Sequence, residues 1–190
     1  MGHNKGRLKR RESNPYRERG TSVKNRFVTP GGEFVIRPAR EEDCPLILSF
    51  IKELAEYEKM ADSVEATVET LRRSLFERGA ARCVIGELEG EPVGFALYFY
   101  NFSTFVGKPG LYLEDLFVRP AHRGLGLGKL LLQYLANLAR EEDCGRMEWF
   151  CLDWNAPSIA FYKKMGARPL DDWTVFRLDA QSLEGLAFPQ

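Results

Sequence analysis

The sequence predicts a mixed α/β domain, and three observations carry that prediction. Strand-like and helix-like stretches alternate along the chain. Residues 111–118, Leu-Tyr-Leu-Glu-Asp-Leu-Phe-Val, are apolar and aromatic apart from one acidic pair, as in a buried central strand. Beyond Pro120 that strand leads into Arg123-Gly124-Leu125-Gly126-Leu127-Gly128, and then into Leu130, Leu131, Leu132, Tyr134, Leu135 and Leu138 at helical spacing. The order is strand, glycine turn, helix.

The elements follow in chain order. Residues 1–32 are polar and basic and rich in Gly, Ser, Asn and Pro. Such a stretch buries too little apolar surface to offset its ordering entropy, so a flexible tail is expected, with the domain spanning 33–190. Residues 33–37 read as the first strand, ended by Pro38. Glu42, Asp43 and Pro45 open a helix with apolar positions Leu46, Ile47, Phe50, Ile51 and Leu54, running to about Tyr57. Thr67 caps a second helix that carries Val68, Leu71, Leu75 and Phe76 and ends at Gly79. Residues 82–88 and 92–100 form two strands joined by Glu89-Gly90-Glu91, a hairpin signal. Residues 101–110 read as a loop. After the central strand and the long helix, which ends near Asp143 and Gly145, residues 146–152 form another strand. Pro157 fits the first turn of a helix that reaches Met165 and closes at Gly166. Residues 172–178 are the last expected strand, followed by a loose end.

Charge and composition narrow the function. The chain holds 27 Lys/Arg and 27 Asp/Glu; nine and two of these fall in the first 32 residues, leaving 18 against 25 in the body. An acidic body suits a cationic substrate and argues against nucleic acid as the main partner. The four cysteines, Cys44, Cys83, Cys144 and Cys151, lie far apart, and only His3 and His122 could join them as ligands, so no metal site is expected. No apolar run reaches transmembrane length and no signal-peptide core is present, so a cytoplasmic location without membrane partners is expected.

The glycine turn is the most informative feature. Glycines let backbone N–H groups converge without side chains in the way. The following helix adds unpaired donors and a partial positive charge. Together they suit a phosphate group, the competing reading being a plain glycine-rich turn. A P-loop does not fit, because Leu130 follows Lys129 where a magnesium-binding hydroxyl is needed. A dinucleotide turn does not fit either: the third glycine comes one residue early and the motif lies beyond mid-chain.

Arg123-x-x-Gly126-x-Gly128 resembles the coenzyme A pyrophosphate loop of the GNAT acetyltransferases, and the resemblance extends from about Phe34 to Leu178. Within the family, Lys52-Glu53-Leu54-Ala55-Glu56-Tyr57-Glu58-Lys59, Leu111-Tyr112-Leu113-Glu114-Asp115 and Asp153-Trp154-Asn155-Ala156-Pro157-Ser158-Ile159-Ala160-Phe161-Tyr162 are similar to the diamine and polyamine branch, which includes thialysine-acetylating relatives. The resemblance implies a mostly antiparallel mixed sheet of about seven strands flanked by helices. Its central strands splay apart, with the pantetheine arm of acetyl-CoA in the gap. It also implies a homodimer.

The implied chemistry is transfer of an acetyl group from acetyl-CoA to a primary amine of a small diamine, polyamine or lysine-like substrate by direct attack. An alkylamine has a pKa of ~10.4, so at neutral pH a proton must first be accepted from it. Glu114 is the candidate base or water relay; a purely electrostatic or structural carboxylate is the alternative. Asp115 faces the opposite side of a regular strand, and both carboxylates reach one substrate only if the strand is bulged or near its end. Tyr162 is the candidate acid for the departing sulfur, or else an ordinary half-buried helix tyrosine. Asn155 is a helix cap, a partner for pantetheine, or both. The backbones of Leu116, Phe117 and Val118 are expected to pair with pantetheine as an added strand. Arg123, Gly124, Leu125, Gly126, Leu127, Gly128 and Lys129 are expected around the diphosphate. Tyr57 and Glu58 suit an ammonium group, or form a solvated helix end. Two other readings stand beside this one: acetylation of protein lysines or N-termini, and a coenzyme-A-binding module without catalysis.

Overall fold

The computed structural model describes residues 23–188. They fall in two compact units, the first ending at Phe150 and the second beginning at Cys151.

The first unit is built on one six-stranded sheet whose spatial order follows the chain: β1 (Arg26–Thr29), β2 (Gly32–Pro38), β3 (Arg82–Leu88), β4 (Glu91–Ser103), β5 (Lys108–Val118) and β6 (Arg146–Glu148). Neighbours are antiparallel through β5, and β6 runs parallel to β5. A parallel return needs a crossover, which α3 (Leu127–Glu141) supplies. Helix α1 (Cys44–Tyr57) lies between β2 and β3, followed by α2 (Val68–Arg72), which continues as a π-helical turn, Arg73–Glu77.

Local chemistry explains the boundaries. The β3–β4 hairpin turns on Glu89 and Gly90, at φ of 50° and 82°, the left-handed pair a tight two-residue turn requires. Thr67 caps α2 by accepting from the Thr70 amide. Pro45 sits in the first turn of α1, where its missing N–H costs nothing. Asp43, just before that helix, accepts two hydrogen bonds from the Arg37 guanidinium at 2.6 and 2.9 Å, tying the start of α1 to β2.

The sheet has two buried faces. On one, Ile47 and Phe50 of α1 pack on Cys83, Ile85, Phe95, Leu97 and Phe117, with the Phe50 and Phe95 rings stacked at 5.4 Å. On the other, Leu131 of α3 lies over Gly86, whose missing side chain makes room for the Phe34 ring. Leu127, Leu131 and Leu135 are fully buried, spaced one helical turn apart.

The second unit holds α4 (Ala156–Lys164) and α5 (Ala180–Leu186). Asn155 caps α4, its side-chain oxygen accepting from the Ser158 amide at 3.2 Å. Asp179 caps α5 by accepting from Ser182.

Five expectations need correction. The tail does not run to Gly32: Val23 is buried, and Arg26–Thr29 pair residue by residue with β2. Pro30 and Gly31 make the hairpin turn between β1 and β2; residues 1–22 lie outside the described residues. The loop expected over 101–110 is shorter, because β4 and β5 stay paired out to Ser103 and Lys108. Strand β6 ends at Glu148, four residues earlier than expected. Finally, residues 172–178 form no strand, so the described sheet has six strands and not about seven. Their β-branched and aromatic residues favour a strand only on a pleated, half-buried surface, and Trp173, Val175 and Phe176 are exposed. The loose end holds α5.

Candidate active site

Strand β5 carries the acidic pair, and its pairing decides where the two carboxylates go. Leu97 of β4 stands opposite Asp115, and the next residue, Tyr98, stands opposite Leu113. Glu114 is therefore an extra residue on β5, a β-bulge. Cross-strand partners share a face, so Asp115, opposite Leu97 and in turn Cys83, lies on the α1 side. Leu113, opposite Tyr98, lies on the α3 side. Without the bulge Asp115 would share the face of Leu113. The bulge that the sequence reading required for both carboxylates to serve one substrate is present.

The two environments differ. Glu114 is exposed and Asp115 is partly buried. Burial, followed by the charges of Glu114 and Glu58, pushes the Asp115 carboxyl up to about 7. Glu58, just past the end of α1, is itself raised by burial. Asp115 in turn helps to raise the Cys83 thiol, whose largest cause is burial. Among the described residues, no cation pairs with Asp115 and no donor hydrogen-bonds it, and its carboxylate oxygens keep access to solvent.

The glycine turn follows β5. Gly124 and Gly126 take φ of 81° and 82°, and nothing stands within 4 Å of where a side chain would begin at either. Only glycine adopts this conformation without strain, and the space above the turn is open. The first amide of the turn and helix start to find a backbone acceptor is that of Leu130, which donates to the Gly126 carbonyl. Among the described residues no acceptor faces the amides of Gly124, Leu125, Gly126, Leu127, Gly128 or Lys129. These donors and the N-terminus of α3 form an open cradle that fits a diphosphate. Leu127 is buried and anchors the helix start, and the Leu125 side chain packs near Gly31.

Arg123 joins this turn to the end of α1. Its guanidinium lies 4.6 Å from the centre of the Tyr57 ring and 5.7 Å from that of Phe117. Its Nε donates to the Val118 carbonyl at 3.0 Å. One oxygen of the backbone stretch expected to receive pantetheine is thus already engaged, although a carbonyl retains a second lone pair. A second arginine, Arg119, grips Glu53 through two nitrogens at 2.8 and 3.0 Å and covers the Phe50 ring, fixing α1 against the end of β5. The sequence reading missed Arg119, because its partner lies 66 residues away and no local pattern links them.

Strand β6 pairs with β5 only over Gly110, Leu111 and Tyr112. From Leu113 through Leu116 and Phe117 to Val118, β5 has no strand on that side among the described residues. This is the splay implied by the resemblance, and it leaves an edge that an amide-bearing chain can pair with.

The remaining site residues, Asn155 and Tyr162, belong to the second unit. Asn155 is buried and caps α4, and the Tyr162 ring lies 5.3 Å from that of Phe161. Among the described residues no group of three or more His, Cys, Asp or Glu is arranged to hold an ion. No described helix is long and apolar enough to cross a membrane.

Comparison with known proteins agrees with this geometry. The profile of the acetyltransferase (GNAT) family matches residues 47–167. The thialysine N-epsilon-acetyltransferase of Sus scrofa is 38% identical over 165 residues, covering 80% of this chain and 96% of that protein. The spermidine/spermine N(1)-acetyltransferase-like protein 1 of Homo sapiens is 36% identical over 168 residues, covering 83% of this chain but 24% of that longer protein. Among solved structures, an integron cassette protein from the mobile metagenome of V. cholerae superposes with a TM-score of 0.69 at 25% identity, covering 80% of this chain and 96% of that one.

Proposed function

The chain belongs to the GNAT acetyltransferase family, and from that premise we propose that it transfers the acetyl group of acetyl-CoA to a primary amine of a small diamine, polyamine or lysine-like substrate such as thialysine. The observation that carries the reading is the juxtaposition in one unit of a cradle of unpaired amides and a bulged acidic pair on the strand leading into it. The cradle suits the diphosphate, and the acidic surroundings of Glu58, Glu114 and Asp115 suit an ammonium group.

The amine is neutralised by losing a proton to a carboxylate, directly or through water. Its lone pair forms the C–N bond at the thioester carbonyl. The C–S bond then breaks, with its electron pair left on sulfur. The sulfur takes the phenol proton of Tyr162, and the phenolate recovers the second proton from nitrogen. Direct attack is favoured over an acyl-enzyme, since Cys83 and Cys44 are buried with their thiols pushed up and so are poor nucleophiles. Tyr57 and Glu58 take the distal part of the amine, and Arg123 and Lys129 add charge beside the diphosphate. The family resemblance also carries the expectation of a homodimer, which sedimentation reads directly.

The test is thiol release from acetyl-CoA with spermidine, putrescine, thialysine and lysine in parallel. Release with at least one amine supports the proposal, and the ranking assigns the substrate. Coenzyme A binding without release under any of them overturns it in favour of a non-catalytic binding module.

A further inference from the structure

Two arginines four residues apart hold the last turns of α1 to the segment between β5 and the glycine turn. Arg123 covers Tyr57, and Arg119 takes Glu53, one helical turn earlier on α1. The second contact is the more directional. Nε and Nη2 of Arg119 donate to the two oxygens of the Glu53 carboxylate at 3.0 and 2.8 Å, a planar two-point pairing. Each side chain is 34% exposed, so water screens the pair only in part.

Arg119 is also anchored independently of α1. Its Nη1 donates to the Pro92 carbonyl at 3.0 Å, and its backbone amide donates to the Val93 carbonyl at 2.9 Å, both on β4. Cutting the bond to Glu53 therefore leaves the end of β5 and the glycine turn in place, and what it frees is α1. Beyond Glu53 that helix keeps Leu54 packed on the core and Ala55 buried, and then reaches Tyr57 and Glu58. Apolar packing is non-directional and tolerates a small slide or rotation, whereas a two-point hydrogen-bonded pair does not. Glu58 stands near enough to Asp115 for its charge to be felt there, so the end of α1 faces the acidic pair of β5.

We propose that the Glu53–Arg119 pair is a positioning device for the amine. It fixes how far the Tyr57 and Glu58 end of α1 stands from the acidic pair, and thereby selects amines by the spacing between the reacting nitrogen and the distal group. This rests on the function proposed above and deepens it.

The lengths match. A helix rises about 1.5 Å per residue, so a slide of one residue shifts the distal subsite by about what one methylene adds to an extended chain. In a fitted pocket one methylene is worth about 10- to 200-fold in kcat/KM. Both residues act through Tyr57 and Glu58, so the pair governs binding and register of the amine and leaves the cradle for the diphosphate unchanged.

The experiment is steady-state kinetics of the full chain as wild type, Glu53→Ala, Glu53→Gln, Arg119→Lys and the E53A/R119K double variant. The amines are trimethylenediamine, putrescine and cadaverine, and ornithine and lysine, each series stepping by one methylene. In the wild type, kcat/KM differs about tenfold between neighbours in the series that is turned over. E53A raises KM for the best amine about three- to tenfold, leaves KM for acetyl-CoA within about twofold, and flattens the series to within about threefold. E53Q does the same to a smaller degree. R119K resembles E53A, and the double variant is no worse than the worse single one, because both cut one contact. KM does not depend on the amount of active enzyme, so a variant that folds poorly lowers apparent kcat and leaves this readout intact. A series that keeps its spread in E53A, additive losses in the double variant, or KM for acetyl-CoA rising as much as KM for the amine overturns the assignment. A lower Tm with every KM and the series unchanged makes the pair a structural brace and overturns it as well. Absence of thiol release with every amine overturns the proposed function, and this assignment with it. Release combined with any of the other failures overturns the assignment alone.

Discussion

The Arg123 guanidinium covers the Tyr57 ring at 4.6 Å while its Nε holds the Val118 carbonyl at 3.0 Å. One side chain thus touches the end of α1, the end of β5 and the glycine turn, which connects the proposed amine and diphosphate sites. Exposed contacts of this kind are worth about 0.5–1 kcal/mol.

Replacing Arg123 with alanine should therefore weaken both substrates together. We expect KM for acetyl-CoA and for the amine each to rise by about two- to tenfold, with a smaller change in kcat. Steady-state kinetics with each substrate varied in turn checks this. A change confined to acetyl-CoA would show that the contact with Tyr57 has no role in amine binding.

Two glycines of the turn should separate strain from ligand access. Gly126 has a φ of 82° with open space around it, so Gly126→Ala meets no clash and suffers only the left-handed backbone penalty of about 1 kcal/mol. A fall in Tm of about 2–4 °C is expected. Gly128 lies outside the left-handed region, and an added methyl would meet only Val118 Cγ2 at 3.9 Å. Gly128→Ala should leave Tm unchanged while lowering acetyl-CoA affinity, read by calorimetry, because the methyl intrudes on the diphosphate's approach. Unchanged affinity in both variants would count against the cradle.

Asp115 should also make stability depend on pH, with a definite sign. Its carboxyl is raised in the folded chain to about 7 from an ordinary 3.8. Below pH 3.8 it is protonated whether the chain is folded or not, and it imposes no penalty. Between the two values the unfolded chain releases the proton more readily, so folding loses stability as pH rises, and the penalty is complete above about 7. The shift bounds the cost at roughly 4 kcal/mol, less what water at its partly open side screens. The Tm of Asp115→Asn should exceed that of the wild type at pH 8 by several degrees and match it near pH 4. A gap that does not grow with pH would contradict the raised carboxyl.

Tyr162→Phe should lower kcat by more than tenfold and leave acetyl-CoA affinity within about twofold, since the ring remains and only the proton donor is removed. Equal losses in turnover and affinity would mean that the phenol serves binding and not proton transfer.

Much of this structure was legible before any coordinates, and the reasons are local. Strands β3 and β4 were legible from the hairpin signal Glu89-Gly90-Glu91 between them, and Thr67, Pro45 and Gly166 mark helix ends by their own backbone chemistry. The glycine turn was legible because cradle and helix are contiguous in sequence. The bulge was not, because an extra residue leaves no mark in the pattern of β5; only the register against β4 reveals it. The pairs Arg119–Glu53 and Arg123–Tyr57 were equally hidden, since each joins residues the chain brings together only after folding. Strand β1 and residues 172–178 failed in opposite directions. A polar, glycine-flanked hairpin found a partner in β2, while a stretch of strand-forming residues forms none.

The parting of β6 from β5 after Tyr112 has a consequence for how the enzyme could be blocked. An unfinished ladder recognises spacing before it recognises identity: any extended molecule whose amides repeat at the interval of a polypeptide can take the same rungs. Short backbone mimics, lacking both nucleotide and thioester, are thus a natural starting point for inhibitors that would compete for the edge of β5 proposed to take the pantetheine arm.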